Sequence, residues 1–312
     1  MPGSTSLLAE PLGPSLGIQA QLPILLAEYP FRTQQDIADY LHLLQDLPRY
    51  FSDLIALEQE KSRQGVFQND LAVDGIIRQC SAFLADADTP ESHLLHTVFQ
   101  NKLQASSLFS EAERNFCLQT HKKLLTSCVF PAYRSLSDAL SSLRGKGTQN
   151  AGGLSRQEDG LSYYAYLLRS RVGVNASPEE LTRLLTQQLA DQCAEMQIIL
   201  DQNPSLSLSE QALVLPFSTP EEMLADLQNA VSEDFPVLSG IAYEVKTVDD
   251  SLKDFLSPAF YLTPPADVNS PNSIYLNPAD EMTGIELYST LAHEAFPAIC
   301  TRPSRSRAPT RF

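Results

Sequence analysis

The sequence predicts an α+β fold: a mainly α-helical chain with a small β-sheet near its C-terminus. Three observations predict it. Apolar residues recur at helical spacing between residues 31 and 235. Helix-start signals, a hydroxyl residue followed by proline or acid, punctuate the same stretch. From residue 236 the pattern changes to short alternating runs rich in aromatic and β-branched residues, followed by one more helical stretch. The 312-residue chain is therefore expected to comprise a mostly helical region, 1–235, a region of short strands plus one helix, 236–297, and a tail, 298–312.

The helical elements follow in order. Thr33, ahead of Gln34-Gln35-Asp36, starts a helix, and Ile37, Tyr40, Leu41, Leu44, Leu47, Phe51, Leu54 and Ile55 then mark one face of it, interrupted at Pro48. Thr89-Pro90-Glu91, Ser177-Pro178-Glu179-Glu180 and Thr219-Pro220-Glu221-Glu222 each set a capping hydroxyl before a proline and acid in the first turn. Ser110 with Glu113 fits a capping box. Leu181, Leu184, Leu185, Leu189, Cys193 and Met196 form a second apolar stripe, and both stripes read as core faces. The glutamate pairs at 179–180 and 221–222 complement helix dipoles and need no other role. The glycine-rich stretch from Gly145 to Gly160 reads as a loop; it lacks the Gly-Lys-Ser/Thr of a phosphate-binding loop.

Three strands are expected next, at Ile241 to Val248, Ala259 to Thr263 and Ser273 to Leu276, set apart by Pro264-Pro265, Asn269 to Asn272 and Asn277-Pro278. A helix follows from about Asp280 to Phe296.

Composition excludes several functions. A formal net charge of -16 opposes binding to nucleic acid and to anionic membrane surfaces, which requires lysine and arginine. No run approaches the ~18 apolar residues of a membrane span, and Met1-Pro2-Gly3-Ser4 lacks the features of a signal peptide, so the chain as written reads as cytoplasmic. Cys80, Cys117, Cys128, Cys193 and Cys300 are odd in number and never in Cys-x-x-Cys spacing; buried free thiols are expected. His93 and His96 have a chelating i, i+3 spacing, but no third ligand lies near them in sequence, and surface or capping roles are expected. Tyr163, Tyr164 and Tyr166 read as aromatic core packing, with a substrate-facing cluster as the alternative.

The last helix carries the chemistry-bearing pair His293-Glu294, within Thr290-Leu291-Ala292-His293-Glu294-Ala295-Phe296-Pro297. A histidine on zinc beside a carboxylate that takes a proton from the metal's water is half of a zinc-peptidase signature. The common form has a second histidine at i+4, on the same helical face. Here i+4 is Pro297, and the common form is absent.

The flanks carry more. Ala259 to Pro265, Asn272 to Pro278 and Leu287 to Pro297, together with Glu10 to Arg32, Pro48 to Phe51, Glu58 to Ser62 and Gly160 to Leu168, resemble in order the bacterial family called domain of unknown function 885. Members of that family look like zinc metallopeptidases with a His-Glu-x-x-Pro-Gly-His motif. Six residues rotate a helix by about 240°, so the Pro-Gly pair has to break the helix to return the second histidine to the metal. The resemblance implies a zincin-like beginning in an incomplete domain, zinc as cofactor and peptide as substrate. It makes His293 the first zinc ligand and Glu294 the general base; Ala298 stands at the glycine and Ile299 at the second zinc-ligand histidine.

From Ala298 the resemblance stops. The tail has four arginines and no acid. Deleting one base from a codon series for Gly-His-Leu-Tyr-Gln-Thr-Val (GGC CAT CTG TAC CAG ACC GTC) yields Ala-Ile-Cys-Thr-Arg-Pro-Ser, the sequence of residues 298–304. The expectation is a frameshifted, non-native tail on a chain truncated at both ends relative to its family, whose N-terminal portion would carry any export signal. The competing reading is a genuine partner-binding tail. Isoleucine offers zinc no lone pair, so the chain is expected to hold zinc weakly or not at all and to be inactive. The alternative function is a helical protein-interaction module without catalysis.

Overall fold

The computed structural model describes residues 5–15, 17–147, 153–205, 215–217, 219–234, 243–248, 258–262, 271–277 and 284–295. By packing, the chain divides into two compact units, Met1–Pro204 and Ser205–Phe312. Among the described residues, the first unit holds a 3-10 turn at Thr5–Leu8 and helices α1 (Ile18–Glu28), α2 (Gln34–Arg63), α3 (Asp70–Phe83), α4 (Leu94–Ala105), α5 (Glu111–Leu124), α6 (Phe130–Leu143), α7 (Gly160–Leu167) and α8 (Pro178–Gln202). The second holds α9 (Pro220–Asp234), strands β1 (Tyr243–Thr247), β2 (Ala259–Leu262) and β3 (Asn272–Leu276), and α10 (Gly284–Glu294). The fold is mainly helical with a small sheet near the C-terminus, as the periodicities predict.

Four of the helix-start signals work as read. Thr33 Oγ1 accepts from the Asp36 amide at 3.1 Å, and Asp36 Oδ2 accepts from the Thr33 amide at 2.8 Å. Ser110 and Glu113 exchange the same two bonds at 3.4 and 2.8 Å, and Thr219 and Glu222 do so at 3.2 Å each. Ser177 Oγ accepts from the Glu180 amide at 3.1 Å. Each cap contributes about 1 kcal/mol. Thr89-Pro90-Glu91 does not start a helix. The Ser92 hydroxyl bonds Thr89 Oγ1 and the Thr89 carbonyl, at 3.0 and 2.9 Å, so the Thr89 hydroxyl is used within a turn. Helix α4 begins later, at Leu94, and His93 caps it.

The first unit is organised by α2. Its stripe of Ile37, Tyr40, Leu44, Leu47, Phe51 and Leu54 is buried against α5 and α6. The helix continues through Pro48, which the stripe alone marks as an interruption. Proline costs about 3 kcal/mol in a helix interior, whereas six buried apolar side chains contribute about 1.5–3 kcal/mol each, so burial wins. A π-helical turn at Leu125–Val129 joins α5 to α6, with the Phe130 amide bonding the Leu125 carbonyl five residues back. The wider turn accommodates Pro131, whose ring would clash with the carbonyl four residues before it in an α-helix. The segment before α1 is tied down by amides: Gln19 Nε2 donates to the Gly13 carbonyl at 2.6 Å, Gln79 Nε2 to the Pro14 carbonyl at 2.7 Å, and Tyr133 donates its hydroxyl to the Gln19 carbonyl at 3.0 Å. Gly75 permits this approach, since a Cβ there would meet Pro14 Cβ at 2.8 Å.

Two polar groups are built into this core. The α2 stripe ends on Glu58 and Lys61, both buried; Lys61 Nζ lies 3.6 Å from Glu58 Oε1 and donates to the Ala9 carbonyl at 3.1 Å. Burial raises the Glu58 pKa, and Lys61 opposes that rise. The second group joins α2, α4 and α5. His121 Nε2 meets the Tyr40 hydroxyl at 3.2 Å, and His121 Nδ1 meets His96 Nδ1 at 3.1 Å. One of the two facing nitrogens donates and the other accepts. A single added proton leaves that contact intact, but protonating both rings sets two donors against each other. Burial, helped by the nearby His96 and His93, pushes the His121 pKa down to about 3. Burial also lowers His96, with Lys122 acting in the same direction and Glu91 against it.

Several expectations change here. Cys80 and Cys117 are buried free thiols, but Cys128 is partly exposed and Cys193 is exposed. The stripe of α8 is not a core face, because no residue of α8 is buried. His93 caps a helix as expected, yet both His93 and His96 are buried rather than superficial. Their apolar neighbours Leu95, Phe99 and Leu103 are the buried face of α4, and the two rings go in with it.

In the second unit the strand order is β1-β3-β2, with β1 parallel and β2 antiparallel to the central β3. Ile274 of β3 packs with Met223, Leu224 and Leu227 of α9 and with Leu291 and Ala295 at the end of α10.

Two outcomes are expected. Lys61→Met strands a buried carboxylate and should cost about 3–5 kcal/mol in urea unfolding of the full chain, whereas Glu58→Leu/Lys61→Met should recover most of that; equal stability of the two variants would show that the pair does not matter. The second concerns His121, which is neutral when folded and has an unfolded pKa near ~6.5. Its contribution is complete above about pH 6.5 and is lost as pH falls towards about 3. Relative to His121→Phe, which keeps the stacking on Tyr40 and Phe99, the wild type should lose up to about 1.4 kcal/mol per pH unit across that window. Parallel pH profiles would sink the assignment.

Candidate metal centre

Helix α10 is positioned by its apolar face. Leu291 and Ala295, one turn apart, are fully buried, and the Ala295 amide bonds the Leu291 carbonyl at 2.8 Å. Tyr288 secures the helix to α9 by donating its hydroxyl to Asp226 Oδ2 at 2.7 Å and stacking on Phe217, with centroids 5.8 Å apart. The Asp226 carboxylate, followed by burial, pushes the Tyr288 pKa up to about 12.

This register decides where the candidate site points. His293 lies two residues from both Leu291 and Ala295, about 200° around the helix from each. Its side chain is therefore directed away from the unit's core, at 79% exposure, while that of Glu294 is 21% exposed; His293 Nε2 and Glu294 Oε1 are 4.0 Å apart. The two side chains supply one imidazole and one carboxylate at the end of a helix anchored to α9 and β2. Ala298 and Ile299, with the rest of the tail, lie outside the described residues. Among the described residues no group of three or more His, Cys, Asp or Glu is arranged to hold a metal ion.

The other sequence candidates go elsewhere. His93 and His96 do not chelate as a pair. His93 Nδ1 accepts from the Leu95 amide at 3.3 Å, and its Nε2 is 3.0 Å from the Phe83 carbonyl. An accepting Nδ1 leaves Nε2 as the N–H that donates to Phe83. His96 instead faces His121, which the sequence reading missed. The available signal was spacing: Cys117, His121 and Leu124 recur at i, i+4, i+7 on the buried face of α5. Of the tyrosine cluster only Tyr163 is core, stacked at 6.1 Å on Tyr166, which is exposed, as is Tyr164.

The comparisons with known proteins follow the fold. A crystal structure described as "the putative lipoprotein from Colwellia psychrerythraea" superposes with a TM-score of 0.75 at 19% sequence identity, covering 92% of this chain and 52% of that one. At that identity the likeness is one of fold, and this chain spans about half the length of the structure that it matches. No curated protein sequence matches. No helix among the described residues is long and apolar enough to cross a membrane. The family profile of bacterial proteins of unknown function, DUF885, matches residues 6–297, and the chain therefore belongs to the DUF885 family.

Proposed function

We propose that this chain is a fragment of a zinc-dependent metallopeptidase-like protein whose metal site is not completed, and that it does not itself cleave peptide bonds. The observation that carries the reading is the placement of His293-Glu294. The pair ends a helix whose apolar face packs on α9 and the sheet, and its imidazole faces away from that core. Such a ring is available to a ligand rather than engaged in packing. In this reading His293 is the first metal ligand, Glu294 the general base, and a peptide the substrate of a complete version.

The residues present do not fit a working zinc site. Catalytic zinc requires three protein ligands with an open position. The pair provides one imidazole, and Ile299 stands where the motif needs the second. The second reading, a helical interaction module, is favoured by a separate observation: α8 is a long helix with none of its residues buried.

Equilibrium dialysis of the full chain against zinc is expected to leave well under one ion per chain, unchanged in His293→Ala. One tightly held zinc per chain would overturn the reading. Resequencing the gene from the Leu291 codon past the stop tests its basis, since an extra base should continue the frame through Gly-His-Leu-Tyr-Gln. In such a continued version zinc should bind, and Glu294→Gln should keep the metal while peptide hydrolysis falls by about 10²-fold or more. Full hydrolysis by that variant would remove Glu294 from the mechanism.

A further inference from the structure

We propose that α8 is a docking helix for a separate amphipathic helix whose apolar ridge is edged by lysine or arginine. The proposal rests on α8 itself and is independent of the metal centre.

Helix α8 runs for 25 residues, and none of them is buried. Most of its apolar side chains nevertheless share one face. Leu181, Leu185, Leu189, Cys193, Met196 and Ile199 recur at intervals of three and four, with Leu184 beside them, one continuous stripe along the helix. Leu185 and Leu189, at its centre, are each 62% exposed. In the same unit, the comparable stripe of α2 is fully used in packing. An apolar stripe of this length left in water is unfavourable in proportion to its area, and it marks a surface that gains by being covered.

The charges on α8 select what covers it. The helix carries Glu179, Glu180, Asp191, Glu195 and Asp201 against Arg183 alone, so its net charge is 1 − 5 = −4. Three of the five acids gather on one edge of the stripe. At 100° per residue, Glu180, Asp191 and Glu195 fall within about 60° of one another along one edge of the stripe. Thr186, Gln197 and Glu179 take the other edge. A second copy of the chain paired antiparallel would set one acidic edge against the other, and the chain's net charge of -16 adds to that repulsion. A partner helix with a basic edge neutralises the row while its ridge covers the leucines. Met196, unbranched and adaptable, lets the stripe accept ridges of differing shape.

The test uses the full chain and a fluorescein-labelled helical peptide of leucine and lysine, about 20 residues or 30 Å long, read by anisotropy at low and high salt. Binding is expected, weakening with salt. It should fall by about ten-fold or more both in Leu185→Ser/Leu189→Ser and in Asp191→Lys/Glu195→Lys. A peptide with glutamate in place of lysine should not bind. All four substitutions are at exposed positions, and an unchanged far-ultraviolet circular dichroism spectrum verifies the fold. Undiminished binding by the serine variant would reduce the effect to net charge and overturn the proposal. So would equal binding of the glutamate peptide. A dimer in sedimentation equilibrium that the serine variant dissolves would assign the stripe to a second copy instead.

Discussion

The first unit depends on the burial of one face of α2. Its six apolar side chains are the spine against which α5 and α6 pack, and the gain outweighs the proline in the middle of the helix. The same face carries polar groups into the interior. Tyr40, near the start of the stripe, receives His121 and through it His96. Glu58 and Lys61, continuing the stripe by one turn, reach the Ala9 carbonyl and hold the N-terminal segment. A buried ion pair is a poor source of net stability, and its value here lies in where it puts the chain. The strap from Thr5 to Leu12 buries Leu8 and Leu12, and the hydrogen bond from the buried ammonium to Ala9 adds a polar anchor between them.

The second unit obeys the same rule on a smaller scale. Six fully buried or nearly buried residues from α9, β3 and α10 form its described core. Leu291 and Ala295 set the rotation of α10, and that rotation turns His293 outward. Packing at two positions thus determines how the pair His293-Glu294 is presented. The exposure of His293 is a consequence of helix geometry, and no special device is needed to produce it.

Much of this was legible in sequence, and the misses have physical causes. Thr33, Ser110, Ser177 and Thr219 were readable because a cap is a local interaction between residues three apart. Thr89 failed because a neighbouring serine offered its hydroxyl a closer partner, and one short-range competitor suffices to convert a cap into a turn. The strands near 243, 259 and 272 were visible from alternation and punctuation, whereas the parallel pairing of β1 with β3 across an intervening strand is a long-range fact that no local pattern contains. The histidine group illustrates the same limit. Spacing could have put His121 on the buried face of α5, His96 read as a surface or capping residue, and only the packing of the two helices brings their Nδ1 atoms to 3.1 Å.

Helix α8 marks the deeper distinction. Periodicity states that one face of a helix is apolar; it does not state what lies on that face. For α2 the answer is inside the unit, and for α8 it is not. The pair His293-Glu294 poses the same problem in chemical form. A metal site is completed by ligands distant in sequence, and the spacing around Glu294 shows only which ligand the local motif would supply and that Ile299 cannot supply it. For α8 the local pattern is intact, whereas at α10 the local motif itself lacks a ligand at Ile299. The difference is in what each incomplete element can still do. A stripe of leucines beside an acidic row binds whatever matches its shape and charge, because hydrophobic burial and screened electrostatics do not require a fixed number of partners. Coordination does, since catalytic zinc depends on three ligands held together. An incomplete helix face thus keeps its physical drive to be covered, whereas an incomplete ligand set does not keep its chemistry.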